Sequence, residues 1–241
     1  MSSDSPAAGR SPRTAKSPVA RRALRDTVYD VVLEGILDGT YPPGDSLGID
    51  QLARDLGVSP TPIREALVQM EHTGLVTRAA LKGYRVAPLL TDEQMADLIT
   101  ARTVVELAAV EQAVARGAEL IPQLRVAHAR HTLSAHKVGE LRSAGSRPDD
   151  YADLREYFDS DWDFHLVILR GSGNRYLLQM AESLGTHVHR LRQSLDREVF
   201  DVDEAVTEHA AVLAAFENGD PVEAMRAHLQ GVGRRSLPER A

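Results

Sequence analysis

The sequence predicts a mainly α-helical protein: a small N-terminal unit of three helices closed by a hairpin, then an antiparallel all-helical bundle. Three observations carry this. From Ala23 onward, apolar residues recur at three- and four-residue spacings over most of the chain. Strand-like runs are confined to two short stretches, Leu75–Arg78 and Tyr84–Ala87. Gly- and Pro-containing breaks interrupt the helical pattern with short loops, which place neighbouring helices antiparallel.

The elements follow in order. Residues 1–22 are rich in Ser, Pro, Ala, Gly and Arg without a period and read as a flexible basic arm. The first helix starts at Ala23. Val28, Val31, Val32, Ile36 and Leu37 mark its apolar side, and Gly39 stops it. Tyr41-Pro42-Pro43-Gly44 is a turn or loop. A second helix spans about Ile49 to Leu56 and ends at Gly57. Ser59 caps a third, with Pro60 in its first turn, where a missing N–H costs nothing. Ile63, Leu67 and Met70 fall on one face of that helix. The two strand-like runs then flank a Lys82-Gly83 turn. Helix, helix–turn–helix and hairpin are together the order of a winged helix-turn-helix domain, expected over residues 23–88.

After a linker near Pro88–Thr91, six helical stretches fill residues 92–236, expected as the effector-binding and dimerisation domain. They run Asp92–Gly117, Ala118 to about Leu141, Asp150–Arg170, Arg175 to about Arg197, Glu204–Asn218, and from Gly219-Asp220-Pro221 to about Arg235.

Composition narrows the function classes. The chain has 241 residues, 43% apolar and 26% charged, which suits one or two folded domains. It has no cysteine. This removes a disulfide scaffold, a Cys-ligated zinc finger, an iron–sulfur protein and a thiol enzyme, and fits a reducing cytoplasm. No run approaches the length of a membrane span, and the polar N-terminus lacks the apolar core of a secretory signal. Aromatics are 5%, too few for a base-stacking single-strand binder. The net charge is −7, yet it is unevenly spread. Residues 1–90 carry 11 basic and 10 acidic groups, whereas residues 91–241 carry 17 and 25. A near-neutral N-terminal part with a basic arm, joined to an acidic C-terminal part, indicates two domains with different partners.

At residues 28–87 the pattern becomes specific. Gly44-Asp45-Ser46-Leu47, Leu52-Ala53-Arg54-Asp55-Leu56-Gly57-Val58-Ser59, Thr61-Pro62-Ile63-Arg64-Glu65-Ala66-Leu67, Gly74-Leu75-Val76 and Lys82-Gly83-Tyr84-Arg85-Val86 closely resemble the GntR family of bacterial transcription regulators. The helical remainder resembles the FadR-type branch with its FCD effector domain. It does so through Arg102 and Glu106, Asp161-Trp162-Asp163-Phe164-His165, Ser172-Gly173-Asn174-Arg175-Tyr176-Leu177, Glu208-His209, and Gly219-Asp220 leading to His228. The resemblance covers about residues 25–235.

It implies that the third helix lies in the major groove with its N-terminal residues toward the bases. Arg64 is the candidate for base or phosphate contact; a guanidinium reaches guanine O6 and N7 together, and the alternative is a surface salt bridge. Ser59, Thr61 and Pro62 accompany it, Ser59 chiefly as a cap. Lys82 and Gly83 at the wing tip suit a phosphate backbone, though Lys82 equally suits a solvated turn. The family pattern usually has arginine where this chain has Pro60, so one major-groove donor is missing. Arginines and lysine of the arm are the candidate compensation.

In the bundle, Asp161 and His165 are spaced i and i+4 and share one helix face. A carboxylate with imidazoles suits Zn²⁺, Ni²⁺ or Mn²⁺; an intrahelical hydrogen bond is the plainer alternative. The family resemblance implies a divalent metal held by Asp161, His165, His209 and His228. His228 follows His209 at a shorter interval than the family pattern carries, and His187 and His189 are the alternates. Open metal positions suit a small carboxylate effector, with Arg102 as its bidentate clamp and Asn174 as a further contact. The alternatives are an Arg102–Glu106 helical pair and a helix-capping Asn174.

The function expected is therefore a homodimeric, cytoplasmic, sequence-specific regulator of double-stranded operator DNA, by default a repressor, controlled by a small carboxylate. A metal-responsive regulator, with the ion as effector, is the alternative. A metal hydrolase is a remote third: there is no His-Glu-x-x-His motif, nucleophile elbow or Walker-type loop, so the chain reads as no enzyme.

Overall fold

The structure, a computed structural model, describes residues 18–79, 83–143, 151–194 and 202–237. Among these are nine α-helices and a three-stranded sheet. The N-terminal part comprises α1 (Pro18–Leu37), β1 (Ser46–Leu47), α2 (Ile49–Asp55), α3 (Pro60–His72), β2 (Val76–Ala79) and β3 (Gly83–Val86). The bundle comprises α4 (Asp92–Ala113), a 3₁₀ turn (Val114–Arg116), α5 (Gly117–Ser143), α6 (Tyr151–Gly171), α7 (Arg175–Ser194), α8 (Val202–Asn218) and α9 (Pro221–Ser236). The mainly helical architecture expected from the sequence is the one observed.

Two details of the N-terminal part differ from expectation. The first helix begins at Pro18, inside the stretch assigned to the arm. Within the described residues, Pro18-Val19-Ala20-Arg21-Arg22 is already helical ahead of Ala23. Residues 1–17 of that arm lie outside the described residues. The strand β1 has only two residues, too few for alternation to reveal. It pairs antiparallel with β3, Leu47 opposite Tyr84, giving the order β1-β3-β2.

The turn between α2 and α3 rests on Gly57. Its φ is +64°, its N–H donates to Arg54 O, and the N–H of Val58 donates to Ala53 O. This paired closure is the Schellman ending, which needs a left-handed residue. Gly74 ends α3 in the same way, at φ +72°. Ser59 occupies the N-cap position of α3, but its hydroxyl makes no capping bond. The third helical residue, Pro62, has no N–H to offer it. The domain core gathers Val28, Val32 and Ile36 of α1, Ile63, Leu67 and Met70 of α3, and Leu75, Tyr84 and Val86 of the hairpin.

In the bundle, α4 starts with a complete capping box between Thr91 and Gln94. Asp220 caps α9 by accepting from the N–H groups of Val222 and Glu223. The largest core packs α4, α5, α6, α8 and α9 around Phe164, Ile168, Leu124, Val212, Met225 and Leu229. A second seam joins α4, α6 and α7 through Ala109, Trp162, Leu169, Ala181 and Val188.

Leu67 is fully enclosed between α1 and the sheet. Leu67→Ala should lower stability by about 2–5 kcal/mol. Urea unfolding should therefore show an earlier transition for the N-terminal core.

Candidate metal centre and DNA-reading surface

Five helices of the bundle each send polar side chains to one buried point. From α4 come Arg102 and Glu106; from α5, His131; from α6, Asp161 and His165; from α8, His209; from α9, His228. All seven are buried. Arg102–Glu106 and Asp161–His165 are both i, i+4 pairs, so each helix aims two groups inward along one face.

The four residues that the family resemblance singles out as ligands come together here. Nε2 of His209 lies 3.1 Å from Nε2 of His165 and 3.8 Å from Oδ1 of Asp161. His165, His209 and His228 offer nitrogens within 4.8 Å of one another, and His131, Asp161 and His209 form a second such trio. The shorter His209–His228 interval does not remove His228 from the cluster: α9 follows α8 through a brief Gly219-Asp220 connection that brings it in. His187 instead lies beside Gly74, and the side chain of His189 is outside the described residues.

Each ring is held from behind. Nδ1 of His165 faces Oε2 of Glu106 at 2.6 Å. Nδ1 of His228 faces Oε2 of Glu208 at 2.8 Å. Nδ1 of His209 faces Nδ1 of His131 at 3.0 Å. Carboxylates only accept, so His165 and His228 carry their protons on Nδ1 and present Nε2 as a lone pair. Phe164 stacks on His209, with centroids 4.2 Å apart, and Trp162 stacks on His165 at 5.8 Å.

Arg102 completes the cluster. Its Nε donates to Glu106, its Nη2 donates to Nε2 of His165 at 2.9 Å, and its guanidinium lies over Trp162. The helical-pair alternative for Arg102 is thus realised, within the buried polar cluster. Asn174 is elsewhere. Its Oδ1 accepts from the N–H groups of Tyr176 and Leu177, which caps α7, and its Nδ2 donates to Gln112. Its recorded bonds reach no residue of the cluster, and the capping alternative describes it.

Burial works against every charge here. It pushes the Glu106 carboxyl up, but Arg102 and His165 outweigh it and hold the group at about 2. Burial, reinforced by neighbouring imidazoles, holds His209 well below its ordinary value. His228 is lowered for the same first reason, against the hydrogen bond it donates to Glu208.

The donor set fits a divalent ion. Two nitrogens on a tetrahedral Zn²⁺, each at about 2.0–2.1 Å, would be about 3.3–3.4 Å apart. The His165–His209 separation of 3.1 Å is close to that. Nε2 of His228 is buried with no hydrogen-bond partner among the described residues, the kind of atom an ion would satisfy. Three imidazoles and a carboxylate are ligands for Zn²⁺ or a similar borderline ion.

Sequence reasoning placed neither His131 nor Glu208 in the site, and knew Glu106 only as a pairing partner. A signal for His131 existed: it sits on the buried stripe Leu124, Ala127, His131, Ala135, Val138 of α5.

On the N-terminal part, Ser59, Thr61 and Arg64 are exposed at the start of α3. Arg64 has no hydrogen bond or ion pair to another described residue, so the salt-bridge alternative has no partner among them. Pro62 is buried, unlike its exposed neighbours Ser59, Thr61 and Arg64. Gly83 is exposed at φ +82° at the wing, and Lys82 lies outside the described residues.

The charged cluster makes stability depend on pH in a defined direction. His209 and His228 bind protons less readily folded than at their ordinary 6.5, so their contribution is complete above pH 6.5 and declines below it. Glu106 adds a contribution complete above 4.5 and lost as the pH falls toward about 2. Melting temperatures in chelator should fall in both windows. In Glu106→Gln the lower-window loss should shrink, with a lower melting temperature at neutral pH.

Comparison with known proteins supplies the identity. The model of bacterial regulatory proteins of the gntR family matches residues 24–86, and the FCD domain model matches residues 97–231. The chain is 32% identical over 214 residues to the HTH-type transcriptional repressor GlaR of Escherichia coli K12, covering 83% of this chain and 90% of that protein. It is 26% identical over 203 residues to the probable D-xylose utilization operon transcriptional repressor of Paenarthrobacter nicotinovorans, covering 84% and 83%. Its fold matches E. coli McbR/YncC with a TM-score of 0.71 at 20% identity, over 88% of this chain and 96% of that one. A GntR regulator from Rhodococcus sp. RHA1 matches with a TM-score of 0.66 at 19% identity, over 91% and 100%. These relatives are regulators, not enzymes, and no described helix is long and apolar enough to cross a membrane. With a reading head built on α2 and α3 joined to an FCD helical domain, the chain belongs to the GntR family and is a DNA-binding transcriptional regulator.

Proposed function

We propose that the protein is a dimeric repressor. Its operator affinity is set by a small carboxylate that binds a divalent ion held by Asp161, His165, His209 and His228. The observation that carries this reading is the buried trio His165, His209 and His228, whose nitrogens lie within 4.8 Å of one another, with the Asp161 carboxylate adjoining it 3.8 Å from Nε2 of His209. Zn²⁺ is the preferred ion, with Ni²⁺ and Mn²⁺ as alternates. Coordination at Nε2 of His165 uses the same lone pair that accepts from Arg102. Metal binding therefore releases the guanidinium beside the ion, where an incoming carboxylate would meet it.

In this reading α3 enters the major groove. Arg64 reads a base, Ser59 and Thr61 meet phosphates, and Lys82 and Gly83 touch the backbone from the wing. Pro60 gives no donor, so fewer base contacts are available and the arm's cations carry more of the affinity. Two-fold operators call for a two-fold protein, hence the dimer.

The route from pocket to reading head is supported by contacts on both sides of α7. Trp162 stacks on His165, and its indole edge lies so close to Gly185 of α7 that a methyl there would sit 2.9 Å from Nε1. Two residues on, the ring of His187 lies against Gly74, which ends α3. An effector that moves His165 or Arg102 therefore shifts α7 against the recognition helix.

Elemental analysis tests the metal. Protein purified without chelator or metal-affinity resin should hold near-stoichiometric metal, and an Asp161→Ala/His165→Ala variant should lose it. Metal-free wild type after reconstitution would sink the ligand set. Arg64→Ala should relax discrimination at one base by about 1–3 kcal/mol, read by operator titration. Carboxylates that release DNA from the loaded protein would identify the effector, whereas release or capture by the ion alone would make the metal itself the signal. Gly185→Ala should change the effector response of operator binding while leaving metal content intact.

A further inference from the structure

We propose that His131 is a positioning residue for the metal site: it fixes the tautomer of His209 and so turns the His209 Nε2 lone pair toward His165 and His228. The inference deepens the metal reading above and rests on it for its affinity arm, though not for its tautomer arm.

The argument is one of proton accounting. His131 and His209 face each other Nδ1 to Nδ1 at 3.0 Å. Two neutral imidazole nitrogens at that distance share one proton, so one ring donates and the other accepts. If His131 donates, its own Nε2 becomes a lone pair, and that lone pair faces the Asp161 carboxylate, 3.7 Å away. Two acceptors then oppose each other in a buried site. His209 would also carry its proton on Nε2 and aim it at Nε2 of His165. That atom already accepts from Arg102, and an imidazole nitrogen has one in-plane lone pair.

If His131 accepts, the conflict at Asp161 disappears; Nε2 of His209 and Nε2 of His165 still oppose each other at 3.1 Å, now as acceptors that a cation between them would satisfy, so the Asp161 contact is what decides between the two tautomers. His209 is then the Nδ1–H tautomer. His131 holds its proton on Nε2, toward Asp161, and the chain Asp161, His131, His209 runs in one direction. The Nε2 lone pair of His209 joins those of His165 and His228, which Glu106 and Glu208 fix in the same sense. All three ligand rings are thus oriented from Nδ1 by a group that accepts, two by carboxylates and one by an imidazole. His131 is buried against Tyr157, with centroids 5.1 Å apart, so its ring is itself held in place.

Two readouts on the full-length protein test this. Long-range ¹H–¹⁵N correlation of the histidine rings reports tautomers directly, with or without metal. His209 should be Nδ1–H in the wild type and in H131N, whose side-chain carbonyl takes the place of Nδ1 as acceptor. It should lose that preference in H131F. Co²⁺ titration followed by absorption should give H131N an affinity near wild type and weaken H131F about 10- to 100-fold, with the same band positions in all three. If H131F fails to fold, H131Q takes its place, because its amide reaches the position of Nε2 and not of Nδ1. An Nε2–H His209 in the wild type, or full Co²⁺ affinity in the variant lacking the acceptor, would overturn the inference. A Co²⁺ spectrum that changes in H131N as well would make His131 a ligand and overturn it too. A wild type that binds no Co²⁺ would defeat the metal reading, and the tautomer measurement would then decide the role of His131 alone.

Discussion

The bundle is organised around the cost of burying charge. Arg102, Glu106 and Asp161 are taken out of water together with four imidazoles. An isolated ion in such a place is prohibitive, and even a well-paired one is often no better for stability than apolar packing. The cluster persists because each member satisfies another: Glu106 takes both Arg102 and His165, and Glu208 takes both His228 and Arg235. This couples α4 to α6 and α8 to α9 through directional bonds, while Phe164 and Trp162 fix the ring planes. Apolar side chains of the same volume would fold the bundle as well. Retaining so many polar groups in one spot makes sense as a site, not as a core.

The same constraint explains the glycine at position 231. A methyl there would collide with the Glu208 carboxylate and crowd Arg235. The close passage of α9 over α8 is what lets Glu208 reach both Nδ1 of His228 and the guanidinium. A helix-weakening residue in mid-helix, costing about 1 kcal/mol against alanine, is the price of that approach.

How far the sequence discloses such a site depends on how local its geometry is. Asp161 and His165 were readable because i, i+4 spacing is a property of one helix. The turn at Gly57 and the two hairpin strands were readable for the same reason, since backbone conformation and alternation are local. β1 was not, because two residues carry no period. Its strand character comes from β3, far along the chain. His131 was not assigned because its meaning lies in a neighbour from α8. Alone, a histidine on an apolar stripe is compatible with simple packing. The burial of Pro62 is not legible for a related reason: it stands among exposed residues in sequence, and only the packing of α3 encloses it. Ser59 holds the cap position that its type predicts but not the bond, and Pro62 leaves it only the N–H of Thr61 as a donor in reach.

The reading head and the pocket are tied by contacts with little slack. Exposed side chains can absorb a small displacement by changing rotamer, but a glycine pressed on an indole edge has no side chain to move. Trp162 meets Gly185 in that manner, and His187 meets the backbone at Gly74 with its ring 3.3 Å from where a methyl would stand. Packed interiors respond to strain by shifting whole elements, since their density leaves no room for local relief. In the proposed mode of control, a change at His165 would reach Trp162 through ring stacking, and α7 would then shift as a body or resist it. Because α7 also packs along α4, which carries Arg102, both polar ends of the pocket bear on the same helix. The residue at the far end of that helix contact, Gly74, sets the conformation that closes α3. In the proposed mode of control, these close approaches would let the arrangement of one buried imidazole bear on the orientation of the recognition helix.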